Sequence, residues 1–326
     1  MRTRTALVAA ALVAGLLGVA GCSASESPAT APLGNAPRPA GVEDPAKIAP
    51  PPSGAAPASC GDATASLRPA ASLPAPGNMP ANTTMAKILA RGRLIVGTDQ
   101  NTYLFGFRNA ETGEIEGFDV DIAREVAKAI FGTADGHVQL VAITSAQRIP
   151  YLTEGKVDIV AHTMTINCER WQQINFSTEY YHAGQTVLVP KSSAAKGIGD
   201  LGNQRVCAAA GSTSIVNIAN APSKPIPVSV PDWTDCLVML QQGQVQAIST
   251  DDTILAGLAA QDPTVKLVGG AFTNEPYGLG IAPKDDQFTR FVNGVLANIR
   301  SNGRWAAIYQ RWLGGAGTPP AAHYKD

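Results

Sequence analysis

The residues that could do chemistry gather in one stretch, 160–181, which reads VAHTMTINCERWQQINFSTEYY. Thr163 and Thr165 alternate with Met164 and Ile166, so on an extended backbone both hydroxyls face one side. Asn167 suits the N-cap of a short helical turn over 168–171. Such a turn swings Arg170 back toward the hydroxyls. Two hydroxyls, the free amides of a helix start and a guanidinium then converge on one point. That set holds a carboxylate, because arginine offers a planar two-pronged donor and helix-start amides favour anions. On these residues alone, a surface arginine beside two incidental threonines is the competing reading.

Other stretches carry similar groups. The apolar run 157–160 reads as a strand that delivers the threonines. RVCAA, 205–209, reads as a second strand, followed by a glycine turn and a helix start at Gly211, Ser212 and Thr213. Its hydroxyls and exposed amides again suit an anion, and without a lysine it is no Walker loop. A strand over 245–249 leads into Asp251 and Asp252, either of which could cap the helix 254–260. In TSAQRIP, 144–150, Ser145 reads as a helix cap and Arg148 as a solvent arginine. The loop 99–107 ends in an aromatic tip with Phe105 and Phe107, which by themselves could be local core. From 117 on, Val120, Ala123, Val126 and Ala127 recur at helical spacing.

With 326 residues, a net charge of −1 and 16% charged residues, the chain has room for two domains and no basic footprint for nucleic acid. Residues 1–21 read as a signal peptide, with Arg2 and Arg4 ahead of an apolar run too short for a membrane span. Residues 23–82 are mostly Ala, Pro, Ser and Gly, a composition that predicts a disordered, extended spacer in which Cys60 alone offers a point of attachment. The even number of cysteines beyond Cys22 suggests disulfides in an exported chain, and no spacing suggests a zinc site.

The chain resembles the polar amino-acid solute-binding proteins of bacterial ABC importers. The resemblance rests on the threonines closing on Glu169-Arg170, then NFSTEYY at 175–181 against D-F-S-x-P-Y-Y. GFDVDIA at 117–123, PYGLGI at 276–281 and the Trp305 to Gly314 ending add to it. The chain departs at Thr163, often Gly in the family, and at Asn175, usually Asp. Together the motifs span roughly 85–314. The resemblance implies that Arg170 and Thr165, with Thr163 beside them, hold a ligand α-carboxylate. It implies that the Gly211-Ser212-Thr213 loop closes over that group, that Asp251 takes the α-ammonium, and that Phe105 or Phe107 stacks on the ligand. The TSxxRIP run resembles the glutamate/aspartate branch, where Ser145 and Arg148 would meet a side-chain carboxylate. VAGC at 19–22 resembles a lipobox, making Cys22 a lipidated N-terminus. Acidic amino-acid binders resemble this chain in carrying a Cys207–Cys236 pair, which leaves Cys60 and Cys168 for each other.

The fold expected is α/β, a two-lobed periplasmic-binding (Venus-flytrap) protein hinged on two crossover strands. Lobe 1 would be 83–186 and 280–326, lobe 2 would be 187–279, and 22–82 the lipidated linker. The function implied is a lipid-anchored extracytoplasmic receptor that passes glutamate or aspartate to an ABC permease. A glutamine or asparagine receptor, or a sensor docking on a membrane signalling protein, are the alternatives. No cofactor is implied. Cyclohexadienyl dehydratases share the fold, but no acid beyond Asp251 is marked for general-acid work, so an enzyme is not expected. Arg148 and Arg170 against Asp251 leave a positive surplus, which favours an acidic ligand. Arg108 could add to that surplus, against the acidic Asp99.

Overall fold

A computed structural model describes residues 36–48 and 59–326. The signal peptide and Cys22 lie outside the described residues.

Short apolar runs become central strands because both their faces are covered, as parallel sheets require. The first sheet is five-stranded, in the order Val138–Ala142, Leu94–Thr98, Ile159–Val160, Gly280–Ile281, Asn175–Phe176. Its first three strands run parallel, and Gly280–Ile281 runs antiparallel to both of its neighbours. The second sheet is also five-stranded: Ile226–Val230, Arg205–Ala209, Ala247–Asp251, Gln185–Pro190, Val265–Val268. Each sheet is sandwiched between two apolar clusters, so the chain has two α/β lobes rather than one core. The lobes are joined by a two-stranded antiparallel ribbon, Tyr181–Ala183 with Glu275–Tyr277, which runs into Gln185 on one side and toward Gly280 on the other.

The helix Phe118–Phe131 packs Ile122, Val126 and Ile130 into the first lobe. It begins at Gly117, where φ is +139° and an added Cβ would lie 2.1 Å from the Phe105 carbonyl oxygen. Only glycine allows that approach, which accounts for the G of GFDVDIA.

The disordered spacer expected for 22–82 is corrected wherever that segment is described. Glu43 exchanges backbone hydrogen bonds of 2.9 and 3.0 Å with Ser229 and so extends the edge of the second sheet. Val42, Ala46 and Ile48 pack on that lobe's clusters. Residues 59–82 lie on the first lobe: Cys60 is bonded to Cys168, Trp171 Nε1 donates to the Ala63 carbonyl, and Leu73 and Met79 join the core. The composition argument presumes that a segment must bury its own apolar surface to become ordered. Here the finished lobes supply the sheet edge, the disulfide partner and the apolar sockets.

Cys207 at mid-strand also meets Cys236 on the helix Trp233–Gln241, with Cα atoms 5.6 Å apart. Mapping of unreduced peptides from exported protein should find both Cys60–Cys168 and Cys207–Cys236. Removing the second bridge should cost about 2–4 kcal/mol of unfolding free energy in denaturant titration. Free thiols at Cys207 and Cys236 would contradict the pairing.

Candidate functional site

The cleft is built on chain turns that aim two arginines at one place. Asn167 caps the helix Cys168–Trp171, its side chain accepting from the Arg170 amide at 2.8 Å. The turn directs the Arg170 guanidinium inward, where Nη1 donates to the Thr165 carbonyl at 2.7 Å and Nη2 to the Gly211 carbonyl at 3.3 Å. Arg148 opens its own helix, Arg148–Thr153, behind a 3-10 turn braced by Gln147, whose side chain accepts from the Thr144 amide. It is 3% exposed, so the solvent-arginine reading fails. Its Nε donates to the Ser145 carbonyl at 2.9 Å, Nη1 to His162 at 3.1 Å, and Nη2 to the same Gly211 carbonyl at 3.3 Å.

Among the described residues, every hydrogen bond from either guanidinium thus ends on a carbonyl oxygen. Burial, with the neighbouring charge of Arg170, lowers Arg148 to about 9. Burial also lowers Arg170, against the pull of Glu275 and Asp251. A cavity of about 700 Å³ opens beside both, lined by Ser145, Met164 and Gly211 among others. Gly211 comes from the second lobe with φ +74°, and an added Cβ would lie 2.6 Å from Ala146 Cα of the first lobe. A side chain there would hold the lobes apart.

Thr165 and Thr213 stand close together, their hydroxyl oxygens 3.4 Å apart. Ser212 spends its hydroxyl on helix capping, accepting from the Ile215 amide and donating to the Ala209 carbonyl. Thr163 departs from the extended run that its spacing predicted. Its φ of +42° is in the left-handed region, which is why glycine suits the position. The hydrogen bonds of Thr163 run through its backbone, with its amide donating to Asp119 at 2.7 Å and its carbonyl accepting from Arg148.

Asp251 ends its strand 3% exposed, with Oδ2 accepting from the Tyr277 hydroxyl at 2.6 Å and Oδ1 without a partner among the described residues. It makes no capping hydrogen bond to the helix Asp252–Gln261, whereas Asp252 accepts from the Thr253 amide. Burial, with the negative charge of Glu275, raises Asp251 to about 8.

The aromatic candidates are corrected. Phe105 is 1% exposed and its ring is engaged by Phe118, Tyr181 and Tyr277. Phe107 lies edge-on to Tyr103 and Trp312. Both rings are spent on packing. Arg108 is exposed and tied to Gln100 and the Gly113 carbonyl, so it adds nothing to the cleft. The residues missed were Glu275 and Tyr277. Their signal was a glutamate and a tyrosine within the crossover strand Glu275–Tyr277, a place where a buried carboxylate needs a reason.

Two lobes on a ribbon, closing over a cleft of buried cations and an unpaired acid, define a solute-binding protein. The bacterial extracellular solute-binding proteins, family 3, match residues 94–315, and the chain belongs to that family, a family of amino-acid binders. It is 37% identical to the Bacillus subtilis ABC transporter glutamine-binding protein GlnH over 231 residues, 71% of this chain and 84% of that one. It is 27% identical to the Escherichia coli glutamate/aspartate import solute-binding protein over 243 residues, 72% of this chain and 80% of that one. The ancestral amino acid-binding protein AncCDT-1, a precursor of cyclohexadienyl dehydratase, superposes with a TM-score of 0.65 at 32% identity. That match covers 71% of this chain and all of the other (100%).

An acid raised by burial lends stability below its ordinary value of 3.8 and loses it as pH rises through about 8. A ligand ammonium needs the ionised form, so binding should release a proton, and affinity should rise from pH 6 to 8. Calorimetry in two buffers of different ionisation enthalpy reads that proton. Asp251→Asn should weaken binding and flatten the slope, while Asp252→Asn should leave both near wild type. Equal effects of the two substitutions would contradict the role of Asp251.

Proposed function

We propose that this protein is an extracytoplasmic receptor that binds an acidic amino acid and hands it to an ABC permease, held to the membrane by a lipid on Cys22. The observation that carries the reading is the pair of buried guanidiniums, Arg170 and Arg148, which meet at one carbonyl and have only carbonyl partners among the described residues. A buried cation without a paired anion is costly, and a dicarboxylate ligand offers one anion to each. In this reading Arg170 and the amides around Thr165 and Thr213 take the α-carboxylate. Arg148 and Ser145 take the side-chain carboxylate, and Asp251 takes the ammonium. Glu275 reduces the positive surplus counted without it, so the preference for acid over amide is a matter of degree. The relatives include a glutamine-binding protein and a glutamate/aspartate import protein, which supports a ligand from that group.

The contacts divide between lobes, with the arginines on the first and Gly211, Thr213 and Asp251 on the second. A ligand that touches both lobes favours the closed state by differential contact, and a permease can read that shape. Calorimetric titration of the soluble domain against all common amino acids tests the reading. Glutamate or aspartate should bind at least about tenfold tighter than its amide, roughly 1.4 kcal/mol. Arg148→Ala should narrow that gap while keeping some affinity for the amide. A preference for glutamine, or an unchanged gap in Arg148→Ala, would remove Arg148 from the side-chain pocket.

A further inference from the structure

Glu275 is 2% exposed, in the strand Glu275–Tyr277 of the connecting ribbon. Four side chains donate to it. Oε2 accepts from Thr165 Oγ1 at 2.7 Å and Thr213 Oγ1 at 2.9 Å, while Oε1 accepts from Thr273 Oγ1 at 2.8 Å and Asn217 Nδ2 at 3.2 Å. Thr165 belongs to the first lobe, whereas Thr213 and Asn217 ride on the helix Thr213–Asn220 of the second. Asn217 also donates to Gln185 Oε1 at 2.8 Å, and the Gln185 amide reaches Ser249 Oγ at 2.9 Å, inside the second sheet. The carboxylate is thereby fixed to the second lobe on one oxygen and bridges both lobes with the other.

We propose that Glu275 is a positioning residue of the ligand cleft, a hinge carboxylate that bridges the Thr165 and Thr213 hydroxyls and slows reopening. This rests on the binding function proposed above. An ionised carboxylate only accepts, and each threonine has a single hydroxyl proton to give, so both threonines converge on Oε2. Opening the hinge carries the loop 211–213, which bears on Ala146, away from Thr165. One oxygen cannot then stay within hydrogen-bond reach of both hydroxyls. The bridge therefore exists only while the lobes are closed and must break before a bound ligand leaves, so it bears on release.

Stopped-flow fluorescence with the full folded chain separates the two rates, using glutamate as the probe. Glu275→Ala should dissociate at least about tenfold faster, as expected for lost hydrogen bonds to a charged acceptor, with association within about twofold of wild type. Glu275→Gln keeps a carbonyl oxygen for both hydroxyls and should restore most of the residence time. A purely structural role would lower the melting temperature and leave dissociation alone. Should Glu275→Ala not fold, Glu275→Leu fills the site without an acceptor and carries the same expectation. Wild-type dissociation from a folded variant without an acceptor overturns the proposal. If wild type binds no amino acid, the functional reading fails by itself. Solution scattering then decides the bridge: Glu275→Ala should have the larger radius of gyration, and equal radii overturn it.

Discussion

Two guanidiniums buried within reach of the same carbonyl oxygen are the constraint around which this molecule is arranged. The charge of Arg170 disfavours the charged form of Arg148, and among the described residues neither has a carboxylate as a hydrogen-bond partner. Such a pair persists only where the backbone holds it. The holding devices are local: Asn167 caps one turn, Gln147 braces the other, and the carbonyls of 162, 163 and 165 face inward to receive the side chains. The left-handed Thr163 turns two of those carbonyls, its own and that of His162, toward Arg148. Asp119 secures that turn by accepting from the Thr163 amide and the Tyr180 hydroxyl, so the GFDVDIA helix serves the site from behind.

The second lobe meets this arrangement through a small surface. Gly211 supplies the shared carbonyl, Thr213 a hydroxyl and Asp251 an acid with one free oxygen. These groups sit at strand ends and helix starts of a sheet whose strand order is set by its own core, so they move as a unit. The ribbon between the lobes is short, and its buried strand carries Glu275 and Tyr277 between the cations on one side and Asp251 on the other. Ligand contact and lobe motion therefore share residues. That economy follows from placing charged groups at the pivot, where a small rotation changes their separation.

Much of this was legible in the sequence because it depends on local chemistry. Asn167 before Cys168-Glu169-Arg170 is a cap followed by a turn, and Ser212 after Gly211 is another; both form as expected. Apolar runs also placed strands, since 157–160 and 205–209 hold the strands Ile159–Val160 and Arg205–Ala209. What could not be read depends on partners distant in the chain. Glu275 looks like an ordinary loop acid until Thr165 and Thr213 are brought to it from 110 and 62 residues away. The fate of Phe105 depended on Phe118, Tyr181 and Tyr277 closing around it. Residues 36–48 and 59–82 looked unable to order themselves and are ordered by the lobes, which composition does not register.

The central claim is that Arg170 is held in the cleft for a ligand carboxylate and not for the fold. Calorimetric titration of Arg170→Ala with glutamate and aspartate, beside thermal unfolding of the same protein, tests it most directly. Binding should weaken by roughly 2–5 kcal/mol, since one partner of a desolvated charged pair is lost. The melting temperature should hold or rise, because a buried cation has been removed. A variant that titrates like wild type, or one that loses binding only by unfolding, would contradict the account.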